Sequence, residues 1–468
     1  MKLKLIHETK LNFSPGIGRS APRTLWHRAG WLFAAALLAS ASAASGGDVS
    51  FRQKRTLLQE PVRFAVISDT HLDDKRLGVS GQAFEDYLNQ DPKLLRESEA
   101  ILDAALGSII QQRVNFVIIP GDLTKDGELR NHVLMTRYLA KLEQRGIEVF
   151  VVPGNHDINN PDAVTYVGDT NRPTPGVSPQ MFRALYQRFG YGQAVLRDTH
   201  SLSYVAEPVR GLWLLGIDSC KYEENKELGY PVVSGRISPE TMVWIQGVMQ
   251  QAHAGGKRVI AFMHHGVNQH FFGEAELFPD YLVDDWPGVS LQLAQTGLKV
   301  VFTGHYHSQD AAYLVDENLT QLSPLCDVET GSLIQYPCAF RIVTVGADDA
   351  LHIVSQRVTD IEADTGGIPF QDYAYNFQAT RLPDIIIARL MAQFQLPEEQ
   401  AAQVAPLVVD ALIANFAGDE EPSPEILAVI GGLVASPEPM HTLGLMLGGI
   451  WTDLPPGDNE LTLPFTAN

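Results

Sequence analysis

Val149-Phe150-Val151-Val152-Pro153-Gly154-Asn155-His156-Asp157 decides how this chain folds. Four apolar residues, all β-branched or aromatic, run straight into a cluster of hydrogen-bonding and metal-binding side chains. A run this short, closed by Pro-Gly, predicts a buried strand whose carboxyl end delivers polar groups. The pattern recurs in both directions. Phe64-Ala65-Val66-Ile67 leads to Asp69-Thr70-His71, and Phe116-Val117-Ile118-Ile119 leads to Gly121-Asp122. Downstream, Val259-Ile260-Ala261-Phe262 leads to Met263-His264-His265, and Val300-Val301-Phe302 to Gly304-His305-Tyr306-His307. Segments with helical spacing, about 92–113, 128–145 and 239–254, lie between them. Strand–helix–strand alternation predicts right-handed crossovers and a sheet covered by helices. In such sheets ligands bind beyond the carboxyl ends of the strands. The strand ends thus carry Asp, His, Asp, Asn, His and a His-x-His pair to one rim, enough ligands for two metal ions.

In this order, D-x-H, G-D, G-N-H-D, H and G-H-x-H, the motifs resemble those of the calcineurin-like metallophosphoesterase superfamily. The resemblance spans residues 62–358 and is closest to its bacterial branch of class III cyclic-nucleotide phosphodiesterases and glycerophosphodiesterases. It implies an α/β fold, a four-layer αββα sandwich of two mixed sheets. It implies that Asp69, His71 and His307 hold one divalent ion, that Asn155, His264 and His305 hold the other, and that Asp122 bridges them. An all nitrogen and oxygen set suits Mn, Fe, Zn, Ni or Co. The implied chemistry is attack of a metal-bridged hydroxide on phosphorus, with a small phosphodiester favoured as substrate. A broad phosphomonoesterase or nucleotidase is the alternative enzyme, and a non-catalytic metal-binding partner protein is the alternative of another class. His156 would stabilise developing charge or protonate the leaving alkoxide, and Asp157 would hold its ring in one tautomer. His265 and His270 are expected to border the pocket or serve packing, and Asp218 to be structural.

Three departures narrow the resemblance. Purple acid phosphatases carry a tyrosine ligand where this chain has Lys125, so no Fe(III)–tyrosinate site is expected. Pyrophosphatases of lipid A synthesis carry Arg where His156 stands. Gly266 replaces a proline that often follows the His-His pair.

The 468 residues allow two or three domains, and the composition, 45% hydrophobic and 19% charged, is that of a globular enzyme. Residues 1–43 read as an export signal: Arg19, Arg23 and Arg28 precede the apolar stretch Ala29–Leu38, and Ala41-Ser42-Ala43 offers a cleavage site. That predicts a periplasmic or secreted protein. Its removal takes away six basic residues and Glu8, moving the formal charge from −20 to about −25. So acidic a surface repels a polyphosphate backbone, which excludes a nucleic acid duplex as partner and leaves a small phosphate ester. No later stretch reads as an integral membrane domain. Residues 44–61 read as an exposed leader and 62–358 as the catalytic domain. An insert at 158–197, rich in Asn, Pro and Gly, would line the site. Four strands are expected after His307 to complete the second sheet. Residues 359–468 read as an all-α C-terminal appendage, with helices at 382–395, 397–416, 424–435 and 440–451, for intramolecular or oligomer contacts. Cys326 and Cys338 flank a segment that can fold back, leaving a bridge open, while Cys220 would stay free.

Overall fold

The computed structural model describes residues 61–316 and 319–465, so the expected export signal and all but the last residue of the leader lie outside the described residues. Three of the apolar runs become β1 (Val62–Val66), β2 (Phe116–Ile119) and β3 (Glu148–Val151), parallel and side by side. The insert carries a hairpin, β4 (Val164–Val167) and β5 (Thr170–Pro173). A second sheet comprises β6 (Leu196–Arg197), β7 (Tyr204–Val209), β8 (Leu212–Gly216), β9 (Arg258–Phe262), β10 (Val300–Thr303), β11 (Ala311–Val315) and β12 (Gln321–Glu329). Its order is β11-β12-β10-β9-β8-β7-β6, with β8, β9, β10 and β12 parallel.

β13 (Ala339–Val345) and β14 (Ala350–Arg357) do not extend that sheet, as the sequence had implied. They return to the first one, β13 lying antiparallel to β1 with Phe64 opposite Val343. The appendage is not helical to its end either. β15 (Glu460–Pro464) adds to the edge of β14, burying Leu461 and Leu463 and turning Glu460 outward. The first sheet therefore runs β15-β14-β13-β1-β2-β3.

The two sheets meet through aromatic side chains. Phe64 stacks on Phe116 at 4.9 Å and takes the edge of Phe302, from the other sheet, at 5.6 Å. Each fully buried side chain of this size contributes about 1.5–3 kcal/mol. Helices Ser98–Gln111 and Leu129–Glu143 bury Ile101, Leu102, Met135 and Leu139 beside the first sheet. Helices Pro239–Ala254 and Trp286–Gln295 bury Ile245, Val248, Val289 and Leu293 beside the second. The result is the expected sandwich of two mixed sheets flanked by helices.

A local device starts three of the helices. Ser178, Ser238 and Ser423 each accept a hydrogen bond from the backbone N–H three residues on, and each is followed by proline at the first helical position. The serine satisfies an orphan N–H, and the proline has none to lose. The same reasoning misplaces another start. Pro383 suggests a helix beginning near 382, whereas the helix runs Phe370–Phe394 with Pro383 inside it. The following helices, Glu398–Ala417, Pro424–Val434 and Met440–Ile450, build a separate apolar core that also takes in Phe271 and Tyr306. Glu398–Ala417 is long and apolar enough to cross a membrane by length and composition, and more than half of its most apolar stretch is buried within the fold.

Cys220, Cys326 and Cys338 are all free thiols. A Cys326–Cys338 bridge is not formed because Cys326 sits on β12 in the second sheet, while Cys338 immediately precedes β13 in the first.

Arg341 on β13 is fully buried and ties distant segments together. Its guanidinium donates to the carbonyls of Glu329 at 3.1 Å, Asp310 at 3.0 Å and Asp458 at 2.6 Å. Truncation would strand these acceptors without water. Arg341→Met is expected to lower unfolding free energy by about 3–5 kcal/mol in urea denaturation. A loss below about 1 kcal/mol would contradict that role.

Candidate dinuclear metal centre

The carboxyl ends of β1, β2 and β3 supply Asp69, His71, Asp122 and Asn155, and those of β9 and β10 supply His264, His305 and His307. All seven come together. His71 Nε2 lies 3.4 Å from His307 Nε2 and 3.6 Å from Asp122 Oδ2, and His307 Nε2 lies 3.2 Å from Asp69 Oδ1. On the other side, His264 Nε2 is 3.4 Å from Asp122 Oδ2 and 2.9 Å from Asn155 Oδ1. The His305 ring lies 4.6 Å from that of His264. Ligand atoms of Asp69, His71 and His307 form one compact group and those of Asp122, His264 and His305 a second, with Asp122 also reaching His71 and His156.

The backbone is strained to do this. Asp69 (φ 50°), His71 (34°), Asp122 (46°), His305 (78°) and His307 (76°) all occupy left-handed conformations that non-glycine residues rarely adopt. Strain of this kind concentrates where side chains must be aimed at a common point. Close approach has the same origin at Gly154. A Cβ there would sit 2.1 Å from Asp122 Oδ1 and 2.2 Å from the Asp122 backbone nitrogen.

Hydrogen bonds behind the ligands fix which atoms face inward. His264 Nδ1 lies 2.9 Å from the Pro120 carbonyl, His307 Nδ1 lies 2.8 Å from Gln335 Oε1, and His305 Nε2 lies 3.2 Å from the Asp280 carbonyl. An acceptor behind each ring places its N–H there and leaves a lone pair on the opposite nitrogen. Asp69 Oδ2 accepts from the His305 N–H at 3.1 Å, while its buried Oδ1 has no hydrogen-bond donor. Lone pairs of Asp69, His307, His264 and Asn155 thus converge with no proton to share. This donor set fits two divalent cations.

His156 stands beside the centre with Nε2 3.9 Å from Asp122 Oδ2, and its backbone N–H donates to Asp122 Oδ1 at 2.9 Å. The expectation that Asp157 orients this ring is overturned. The Asp157 carboxylate accepts from the N–H groups of Leu123, Thr124 and Gly154 and from the Thr124 hydroxyl. It braces the turns that carry Asp122 and Asn155. The ring partner is Asp126, whose Oδ1 lies 2.8 Å from His156 Nδ1. Burial disfavours the imidazolium, but Asp122 and Asp126 outweigh it and raise the His156 pKa to about 9. Asp126→Asn is expected to lower kcat by about 10–100-fold with KM and metal content unchanged. Unchanged kcat would mean that Asp126 does not orient the ring.

Lys125 is buried, bonded to Asp126, 3.6 Å from Glu128 and 4.1 Å from the Tyr87 ring centre. It holds Asp126 in place and supplies no metal-ligating atom. His265 is committed on both nitrogens, to Ser219 Oγ and the Val233 carbonyl, each at 2.8 Å. His270 is buried against Asp310 at 3.0 Å. Asp218 accepts from Leu202 N, Cys220 N and Tyr222 Oη, a structural role as expected. Asp126 and Gln335 went unread in the sequence; an acid four residues beyond Asp122 was the available clue.

A family model described as calcineurin-like phosphoesterase matches residues 62–309. No curated protein matches the chain. Among solved structures, a dimetal phosphatase from Danio rerio is 17% identical, with a TM-score of 0.45 and coverage of 64% of this chain and 97% of that one. Purple acid phosphatase PPD1 from yellow lupin (Lupinus luteus) seeds is 10% identical, with a TM-score of 0.39 over 65% of this chain and 53% of that one. Haemophilus influenzae NAD nucleotidase is 11% identical, with a TM-score of 0.30 over 69% and 56%.

Proposed function

The chain belongs to the calcineurin-like phosphoesterase family, a metal-dependent phosphoester hydrolase, and we propose that it cleaves a small phosphodiester of the cyclic-nucleotide or glycerophosphodiester type. Likeness of its motifs to those of the bacterial class III branch supports that reading, which has the protein acting in the periplasm or outside the cell with residues 62–358 as the catalytic domain. Residues 359–468 provide intramolecular or oligomer contacts.

The reading rests on Asp122 Oδ2, which faces His71 from one ligand group and His264 from the other. Asp69, His71 and His307 would hold one cation, Asn155, His264 and His305 the second, and Asp122 both; Mn, Fe, Zn, Ni and Co all suit these donors. When bound, the pair supplies Lewis acidity to phosphoryl oxygens and makes water acidic enough to act as a nucleophile near neutral pH. Asn155, a neutral amide, adds no negative charge to repel a phosphate. His156, aimed by Asp126, would donate from Nε2 to the departing alkoxide oxygen. Asp157 and Gly154 keep the two turns close enough for this arrangement.

Turnover of bis-p-nitrophenyl phosphate and p-nitrophenyl phosphate by the Mn- and Zn-loaded protein tests the proposal. The expected outcome is a higher kcat/KM for the diester, with both activities lost on chelation and restored by metal. A monoester preference would instead establish the phosphatase or nucleotidase alternative. Stoichiometric metal with neither ester cleaved would leave a metal-binding partner protein.

A further inference from the structure

Away from the centre just described, three carboxylates from distant parts of the chain converge: Asp310 before β11, Glu420 after helix Glu398–Ala417, and Asp458 before β15. One oxygen from each lies within 4.8 Å of the others, and Asp310 and Asp458 are 2% and 5% exposed. Among the described residues no lysine or arginine forms an ion pair with any of them. Arg341 lies nearby but spends its donors on carbonyls, including those of Asp310 and Asp458. His270 serves Asp310 alone of the three.

The second observation is a set of orphaned oxygens. Asn415, 1% exposed, turns its carboxamide to the cluster, donating from Nδ2 to Glu420 Oε1 at 2.8 Å, while its own buried Oδ1 has no partner. Glu420 Oε2 is buried and equally without a donor. With His270 paired to Asp310 alone, unpartnered buried acceptors beside Glu420 and Asp458 are costly unless a cation or protons take them up. All the donors are oxygens, the preference of a hard ion such as Ca²⁺.

We propose that Asp310, Glu420 and Asp458, with the Asn415 amide oxygen, form a Ca²⁺ site separate from the dinuclear centre. The ion staples the turn after helix Glu398–Ala417 and the approach to β15 onto the segment that follows His307. Burial and mutual repulsion raise the Glu420 and Asp458 pKa values to about 10 and about 9, so protons are the rival way of neutralising the cluster. A cation and a proton predict different behaviour.

The test is calorimetric titration of the full-length protein with Ca²⁺, together with thermal melts in EGTA and in millimolar Ca²⁺. Wild type and Asp122→Ala are both expected to bind one Ca²⁺ at this cluster, with Tm raised by about 5 °C or more. The Glu420→Gln/Asp458→Asn double variant should lose that binding event. Its melt in EGTA should be no lower than that of wild type, since neutral side chains remove the repulsion. The proposal is overturned if the wild-type Tm is indifferent to Ca²⁺. It is equally overturned if the double variant binds Ca²⁺ as wild type does, or if Asp122→Ala alone abolishes binding. A failed diester assay would leave this result untouched, because the readout is binding and stability.

Discussion

Asp122→Ala is expected to cut kcat/KM for phosphate ester hydrolysis by about 1,000-fold or more and to reduce bound metal below two ions per chain. It faces both ligand groups, since Oδ2 lies 3.6 Å from His71 Nε2 and 3.4 Å from His264 Nε2. Removing it leaves two sets of neutral imidazoles, with Asp69 as the remaining carboxylate among the proposed ligands, to hold two mutually repelling dications. The fold should survive, because the buried β2 residues and Asp157, which ties Leu123 and Thr124 to Gly154, are untouched. Metal analysis and steady-state kinetics on the purified variant check this. Retention of two ions and of activity within about 10-fold of wild type would remove Asp122 from its bridging place.

The second large effect belongs to His156. His156→Gln should lower kcat by about 100-fold or more while leaving metal stoichiometry intact, since its Nε2 approaches Asp122 only to 3.9 Å and the backbone N–H that donates to Asp122 is retained. The two losses should not add. Once the ring is gone, Asp126→Asn has nothing left to orient and should cost almost nothing further. A double variant showing the full product of both effects would mean that Asp126 acts independently of His156. The size of the His156 effect should also depend on the leaving group. Nitrophenolate departs with little protonation, so a substrate with an alkoxide leaving group should suffer more.

Much of this was legible in the chain because each ligand follows an apolar run that can only be a buried strand. Once β1, β2, β3, β9 and β10 are recognised, the parallel arrangement carries their polar tails to one place whatever the loops do. What lay hidden was set by contacts that leave no mark on the local sequence. Asp126 meets His156 because β2 and β3 are neighbours, and Asp157, adjacent in sequence, points away to brace backbone N–H groups. Two of the groups behind the ligands are carbonyls, of Pro120 and Asp280, which every residue possesses. The assignment of β13 and β14 to the first sheet depends on partner choice, to which alternation is blind. β15 was readable: Leu461 and Leu463 alternate with Glu460, Thr462 and Pro464, but four preceding helices drew the expectation away. Proline misled at Pro383 for a physical reason, since the residue that starts helices at 179, 239 and 424 is there tolerated inside one.

Anomalous diffraction from crystals of the full-length protein grown with Mn²⁺ bears most directly on the centre. Two peaks are expected, one among Asp69, His71 and His307, the other among Asn155, His264 and His305, with Asp122 touching both. A single peak, or a pair that leaves Asp122 uncoordinated, would contradict the dinuclear site and the chemistry built on it.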